Sequence, residues 1–130
     1  MRLYTVEEAR AILPGVVETV AALRDAFVEL RALQAAVEAQ ARGASGDGHL
    51  LADPFDGDGE NRMEHLKAVV QRSAAALDRQ GIEVKDPDRG LIDFFSEREG
   101  RVVYLCYLLG EPDLAYWHEL HAGFAGRQAL

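Results

Sequence analysis

At 130 residues, 48% apolar and 28% charged, the chain has the size and composition of one soluble globular domain and is too short for two independent cores. Twenty-two acidic against fourteen basic residues leave a formal net charge of -8, and no Lys/Arg cluster stands out. That disfavours a nucleic-acid partner, which requires a concentrated basic footprint, and none is expected.

No apolar run approaches the ~18 residues of a spanning helix, and the opening MRLYTVEEAR puts charges where a secretory leader needs an apolar stretch. Cys106, the single cysteine, cannot form an internal disulfide. The expectation is a cytoplasmic protein in a reducing compartment, with no membrane contact.

Met1 to Tyr4 reads as a short lead-in with strand character. Thr5-Val6-Glu7-Glu8 is a capping box, in which the Thr5 hydroxyl accepts from the Glu8 amide and the Glu8 carboxylate returns to Thr5. Pro14 lacks an amide hydrogen and crowds the preceding turn, which predicts a short helix over 6–12 and a long one over 14–42. Leu13, Val16, Val20, Leu23, Phe27, Leu30, Gln34 and Val37 recur at steps of three and four, a heptad seam along the long helix. About 40 Å of amphipathic helix demands a partner helix.

Residues 43–59 hold five glycines and four aspartates and read as a loop, with Leu50, Leu51 and Phe55 as its apolar anchors. Asp56-Gly57-Asp58 suggests a calcium loop. The register puts Asn61 where the turn glycine belongs and Lys67 where the bidentate glutamate belongs, so calcium is rejected. Asn61-Arg62-Met63-Glu64 starts a second helix, patterned by Met63, Leu66, Val70, Ser73 and Leu77 and closed by Gly81. The two helices form an antiparallel hairpin over about 5–80. Ile82 to Lys85 is then an extended link.

Leu91–Phe95 and Val102–Leu109 are apolar runs around the polar Ser96–Arg101, and Leu114–His118 follows the turn residues Gly110-Glu111-Pro112-Asp113. They predict a three-stranded antiparallel β-meander over about 90–130. The whole is an α+β fold in a single domain, 1–130. If Phe95 pairs with Val102 and Leu109 with Leu114, one face carries Ile92, Phe94, Val103, Leu105, Tyr107, Leu109, Leu114, Tyr116 and His118, and packs on the helices. The other carries Leu91, Asp93, Phe95, Val102, Tyr104, Cys106, Leu108, Trp117 and Glu119.

The segments GIEVKD, GLIDFFSEREGRVVYLCYLLGE and WHELHAGFAGRQ resemble the small bacterial proteins catalogued as domain of unknown function 2203, and the likeness extends from the capped first helix to the C-terminus. The resemblance implies no activity.

Candidate chemistry lies in the second half. His118-Glu119-Leu120-His121 puts two imidazoles three apart, and with Asp93 and Glu111 they make a candidate site for a divalent metal, zinc or manganese. Asp93 interrupts an apolar strand, so its carboxylate needs water, a cation or a partner such as Arg98, Arg101 or Arg127. Gly123, Gly126 and Arg127 form a candidate anion-binding turn, set against Arg127 pairing with Glu111 or Asp93. Cys106, in an apolar strand with no base nearby in sequence, reads as core packing. Two functions follow: a non-catalytic interaction or assembly module, self-associating as a dimer or holding a protein partner through its coiled-coil-like hairpin, or a metal-dependent small enzyme.

Overall fold

The computed structural model describes residues 1–43 and 57–130. Two helices, α1 (Val6–Gly43) and α2 (Gly57–Arg79), pack on one face of an antiparallel sheet of five strands. The strands are β1 (Ile82–Asp86), β2 (Leu91–Arg98), β3 (Arg101–Leu108), β4 (Tyr116–Glu119) and β5 (Gln128–Ala129), arranged in sequence order. A short 3-10 turn, Phe124–Gly126, lies between β4 and β5. The class is α+β as expected, with two more strands than the predicted three. Among the described residues no helix is long and apolar enough to cross a membrane.

The capping box forms as read, Thr5 N–H donating to Glu8 Oε1 at 2.8 Å and Glu8 N–H to Thr5 Oγ1 at 3.0 Å. The predicted break at Pro14 does not occur: α1 runs unbroken through it. Pro14 is exposed, so the chain tolerates the missing amide on the helix's solvent side. α2 begins at Gly57, four residues before the expected start, which places Asn61 inside the helix instead of at its cap. Residues 44–56, including the expected anchors Leu50, Leu51 and Phe55 and the first aspartate of the rejected calcium loop, lie outside the described residues.

The helices are antiparallel. Arg62 near the start of α2 clamps Glu29, and Tyr4 at the base of α1 donates its hydroxyl to the Gln80 carbonyl just past α2. Ala9, Leu13, Val16, Val20 and Leu23 of α1 and Leu77 of α2 bury against Ile82, Ile92, Phe94, Val103, Leu105, Tyr107, Leu114 and Trp117. Farther out, Ala26, Leu30 and Leu66 form a second, helix-only cluster. Five of the eight seam positions, Leu13, Val16, Val20, Leu23 and Leu30, are therefore spent inside the chain, while Phe27 and Val37 are half-buried and Gln34 is exposed. The lead-in is strand-like in its bonding: Tyr4 N–H donates to the Phe95 carbonyl and Ser96 Oγ donates to the Tyr4 carbonyl.

The β2–β3 hairpin is tighter than the expected six-residue loop. Glu99 and Gly100, at φ 53° and 79°, make a two-residue connection with both φ values positive, the type I′ geometry whose twist matches the flanking strands. The strands therefore pair to Arg98↔Arg101, and Phe95 faces Tyr104 instead of Val102. The larger departure is at β4, where Val103 pairs with Glu119 and Tyr104 with His118. This is offset by one residue from the pairing that Leu109↔Leu114 would set, and a one-residue offset exchanges faces. Trp117 turns to the helices; His118 and Tyr116 join Asp93, Phe95, Tyr104 and Cys106 on the far side.

Gly90 precedes β2 at φ +71°, and a Cβ there would sit 2.7 Å from Leu109 Cβ and 3.2 Å from a Val20 methyl. Gly90→Ala is expected to cost about 2–3 kcal/mol, through left-handed strain and overpacking together. Urea denaturation read against the unchanged protein measures it.

Candidate metal centre

The face turned away from the helices carries a row of cross-strand partners, Glu83, Asp93, Cys106 and Tyr116, and beside it the row Phe95, Tyr104 and His118. Three of these side chains converge. The Asp93 carboxylate, the Cys106 thiol and a His118 ring nitrogen lie within 4.8 Å of one another, on β2, β3 and β4. They are 1%, 0% and 3% exposed. Among the described residues these are the three metal-capable side chains close enough to share an ion.

His118 fixes the chemistry of the group. Its Nδ1 lies 2.8 Å from the Glu119 carbonyl, which can only accept, so Nδ1 carries a hydrogen. Nε2 then faces both Asp93 oxygens, at 3.2 and 3.1 Å. A bare lone pair opposite a carboxylate would be repelled; a single proton must lie between them, on one partner or the other. Burial pushes the Asp93 carboxyl above its usual range, opposed by a hydrogen bond from Cys106 and the charge of His118. Burial, then the charge of Asp93, pushes the Cys106 thiol up to about 12. The thiol is protonated and is no activated nucleophile. The Tyr104 ring packs 5.3 Å from His118 and 4.9 Å from Phe95, and its hydroxyl donates to Glu83, which also holds Lys85.

The C-terminal segment returns over one end of this face. The Arg127 guanidinium lies over the Tyr116 ring at 3.9 Å and beside Phe124 at 4.7 Å. Phe124 also meets Arg89, from the β1–β2 turn on the other side of the sheet, at 5.1 Å. The crossing brings Arg127 onto the strand partner of Cys106.

Of the four residues proposed from sequence as ligands, Asp93 and His118 meet. Glu111 is engaged elsewhere: it accepts from the Leu108 amide and from Arg127, both at 2.7 Å. His121 is exposed in the turn after β4, and the two histidines face different surroundings because the segment is strand and turn instead of helix. The partner Asp93 needed is His118; of the arginines weighed for it, Arg101 binds Glu119 and Arg127 binds Glu111. Gly123 has φ +67° and open space for a side chain, and Gly126 sits where a Cβ would strike Ala122 Cβ at 2.6 Å. Cys106 is the member that sequence reasoning assigned to packing alone. Its signal was its position opposite Asp93, visible once the hairpin register is known.

Asp93, Cys106 and His118 could hold a metal ion. Oxygen, sulfur and nitrogen donors from three strands are a donor set that zinc accepts; the ligands of a tetrahedral zinc stand roughly 3.3–3.6 Å apart, so an ion would spread the Asp93–His118 pair slightly from its 3.1–3.2 Å, within a set whose ligand atoms all lie within 4.8 Å.

No curated protein and no solved structure matches the chain. A family model does, over residues 2–130, described as an uncharacterized conserved protein, DUF2203. The chain belongs to that family.

Proposed function

We propose that this protein binds one divalent transition metal, zinc by preference, through Asp93, Cys106 and His118. The observation that carries the reading is the convergence of those three side chains in a buried spot. Charge balance supports it. The metal-free group holds one proton between Asp93 and His118 and one on the Cys106 sulfur, and is neutral overall. Exchange of those two protons for a dication leaves the buried charge unchanged, which avoids the cost of burying an unbalanced ion. The thiolate favours zinc over manganese, which prefers oxygen donors. Three protein ligands leave a fourth position for a small molecule, as in zinc sites that do chemistry, so a metal-dependent reaction is compatible with the centre. Leu13, Val16, Val20, Leu23 and Leu30 of the heptad seam pack within the chain, whereas no three metal-capable side chains elsewhere among the described residues converge as Asp93, Cys106 and His118 do, and the function is assigned to the sheet for that convergence.

Calorimetric titration of metal-free protein with zinc, in buffers of different ionisation enthalpy, tests the reading. One zinc per chain with release of about two protons is the expected result. No saturable binding, or binding without proton release, contradicts it.

A further inference from the structure

Two groups on this face lack a partner. The metal set supplies three ligands where zinc takes four. Arg127 is the other: among the described residues its Nε is the one buried side-chain nitrogen or oxygen without a hydrogen-bond partner. Three other arginines here grip a carboxylate with Nε and Nη2 together, Arg24 with Asp25, Arg62 with Glu29 and Arg101 with Glu119. Arg127 binds its carboxylate differently. Its Nη2 alone serves both Glu111 oxygens, at 2.7 Å each, and Nε is left over although the side chain is nearly buried. A buried N–H without an acceptor is costly, so the donor at Arg127 Nε is suited to meet a small acceptor that reaches it, a water or an anion. The guanidinium lies on Tyr116, the cross-strand partner of Cys106, and its positive charge acts on the Cys106 thiol.

We propose that Arg127 Nε and the open position of the metal at Asp93, Cys106 and His118 together hold one small carboxylate anion. The proposal rests on the metal reading above. One oxygen of the anion would complete the coordination of a metal held by Asp93, Cys106 and His118, and the anion would accept a hydrogen bond from Arg127 Nε, so a single ligand serves both groups. It must be small, since the three metal ligands are almost wholly enclosed. Tyr116 and Phe124, each about one-third exposed, hold the guanidinium plane and border the entry.

The test uses the full chain loaded with cobalt(II), probed with formate at constant ionic strength kept by chloride. A thiolate-to-cobalt charge-transfer band reports the metal site by itself. Formate is expected to shift the cobalt d–d bands saturably. Arg127→Gln should weaken that response about tenfold while keeping the charge-transfer band. Glu111→Gln, which keeps an oxygen for the Leu108 amide but removes the resident countercharge, should tighten it several-fold. This second variant carries the test if Arg127→Gln does not fold. A charge-transfer band with no formate response, or equal formate affinity in the unchanged protein and the variants, overturns the proposal and leaves the metal reading standing. Absence of the band at any cobalt concentration overturns both.

Discussion

Replacing Asp93 by alanine in the metal-free protein is expected to lower folding stability by about 3–5 kcal/mol, the cost of removing one partner of a buried, hydrogen-bonded ionisable pair. The size follows from what is left behind. His118 Nε2 and the Cys106 thiol would face each other in an almost wholly enclosed spot, and the imidazole would have to lose its shared proton or stay charged alone. Asp93→Asn separates volume from charge. The amide fits the same space and can donate to a neutral Nε2, so its cost should be nearer 1–2 kcal/mol. Guanidinium denaturation with a chelator present measures both. An alanine variant within about 0.5 kcal/mol of the unchanged protein would mean that the pair is not buried as described.

The second large effect is the stabilisation of the fold by zinc. A ligand that binds only the folded chain adds about 2.7 kcal/mol at a free concentration one hundred times its dissociation constant. For a chain of this length that is a rise in Tm of roughly 10 °C. The ion would clip β2, β3 and β4 together, and the C-terminal segment that packs on β4 should be steadied with them. Cys106→Ser isolates the metal from the Asp93–His118 pair, because serine keeps a donor beside the carboxylate but gives up the sulfur. Its metal-free Tm should fall by only a few degrees, and its zinc-dependent rise should largely disappear. Thermal melts at matched free zinc decide this; a serine variant that gains as much from zinc as the unchanged protein would remove Cys106 from the centre.

Local signals made much of the fold legible. The Thr5–Glu8 capping box, the three-and-four spacing of Leu13 to Leu30 and the turn chemistry at Gly81 all act over a few residues, and each forms as its sequence implies. Pro14 misled because a helix breaks at proline only when the lost hydrogen bond and the crowding are not offset by packing; here Ala9, Leu13 and Val16 anchor both sides. The two added strands were hard to see. Ile82–Asp86 is short, and Gln128–Ala129 is too short for any pattern.

The candidate site was legible in its residues but not in its geometry. Asp93 announced itself as a carboxylate in an apolar strand, and the histidines stood out by spacing. That Asp93 meets His118 depends on the β3–β4 register, which the loop from Leu109 to Ala115 sets. A loop of that length does not dictate which of two neighbouring registers follows, unlike the two-residue turn at Glu99-Gly100. The single-residue offset carries His118 from the helix-packed face to Asp93 and Cys106. That shift also explains why Cys106 looked inert: its neighbours along the strand are apolar, and its polar partners come from the strands on either side.

X-ray absorption at the zinc edge of the loaded protein tests the central claim most directly, because it reads the donor atoms. The account predicts one sulfur at about 2.3 Å with nitrogen and oxygen at about 2.0 Å and an imidazole scattering pattern. A shell of nitrogen and oxygen alone, or a sample that retains no zinc after desalting, would contradict it.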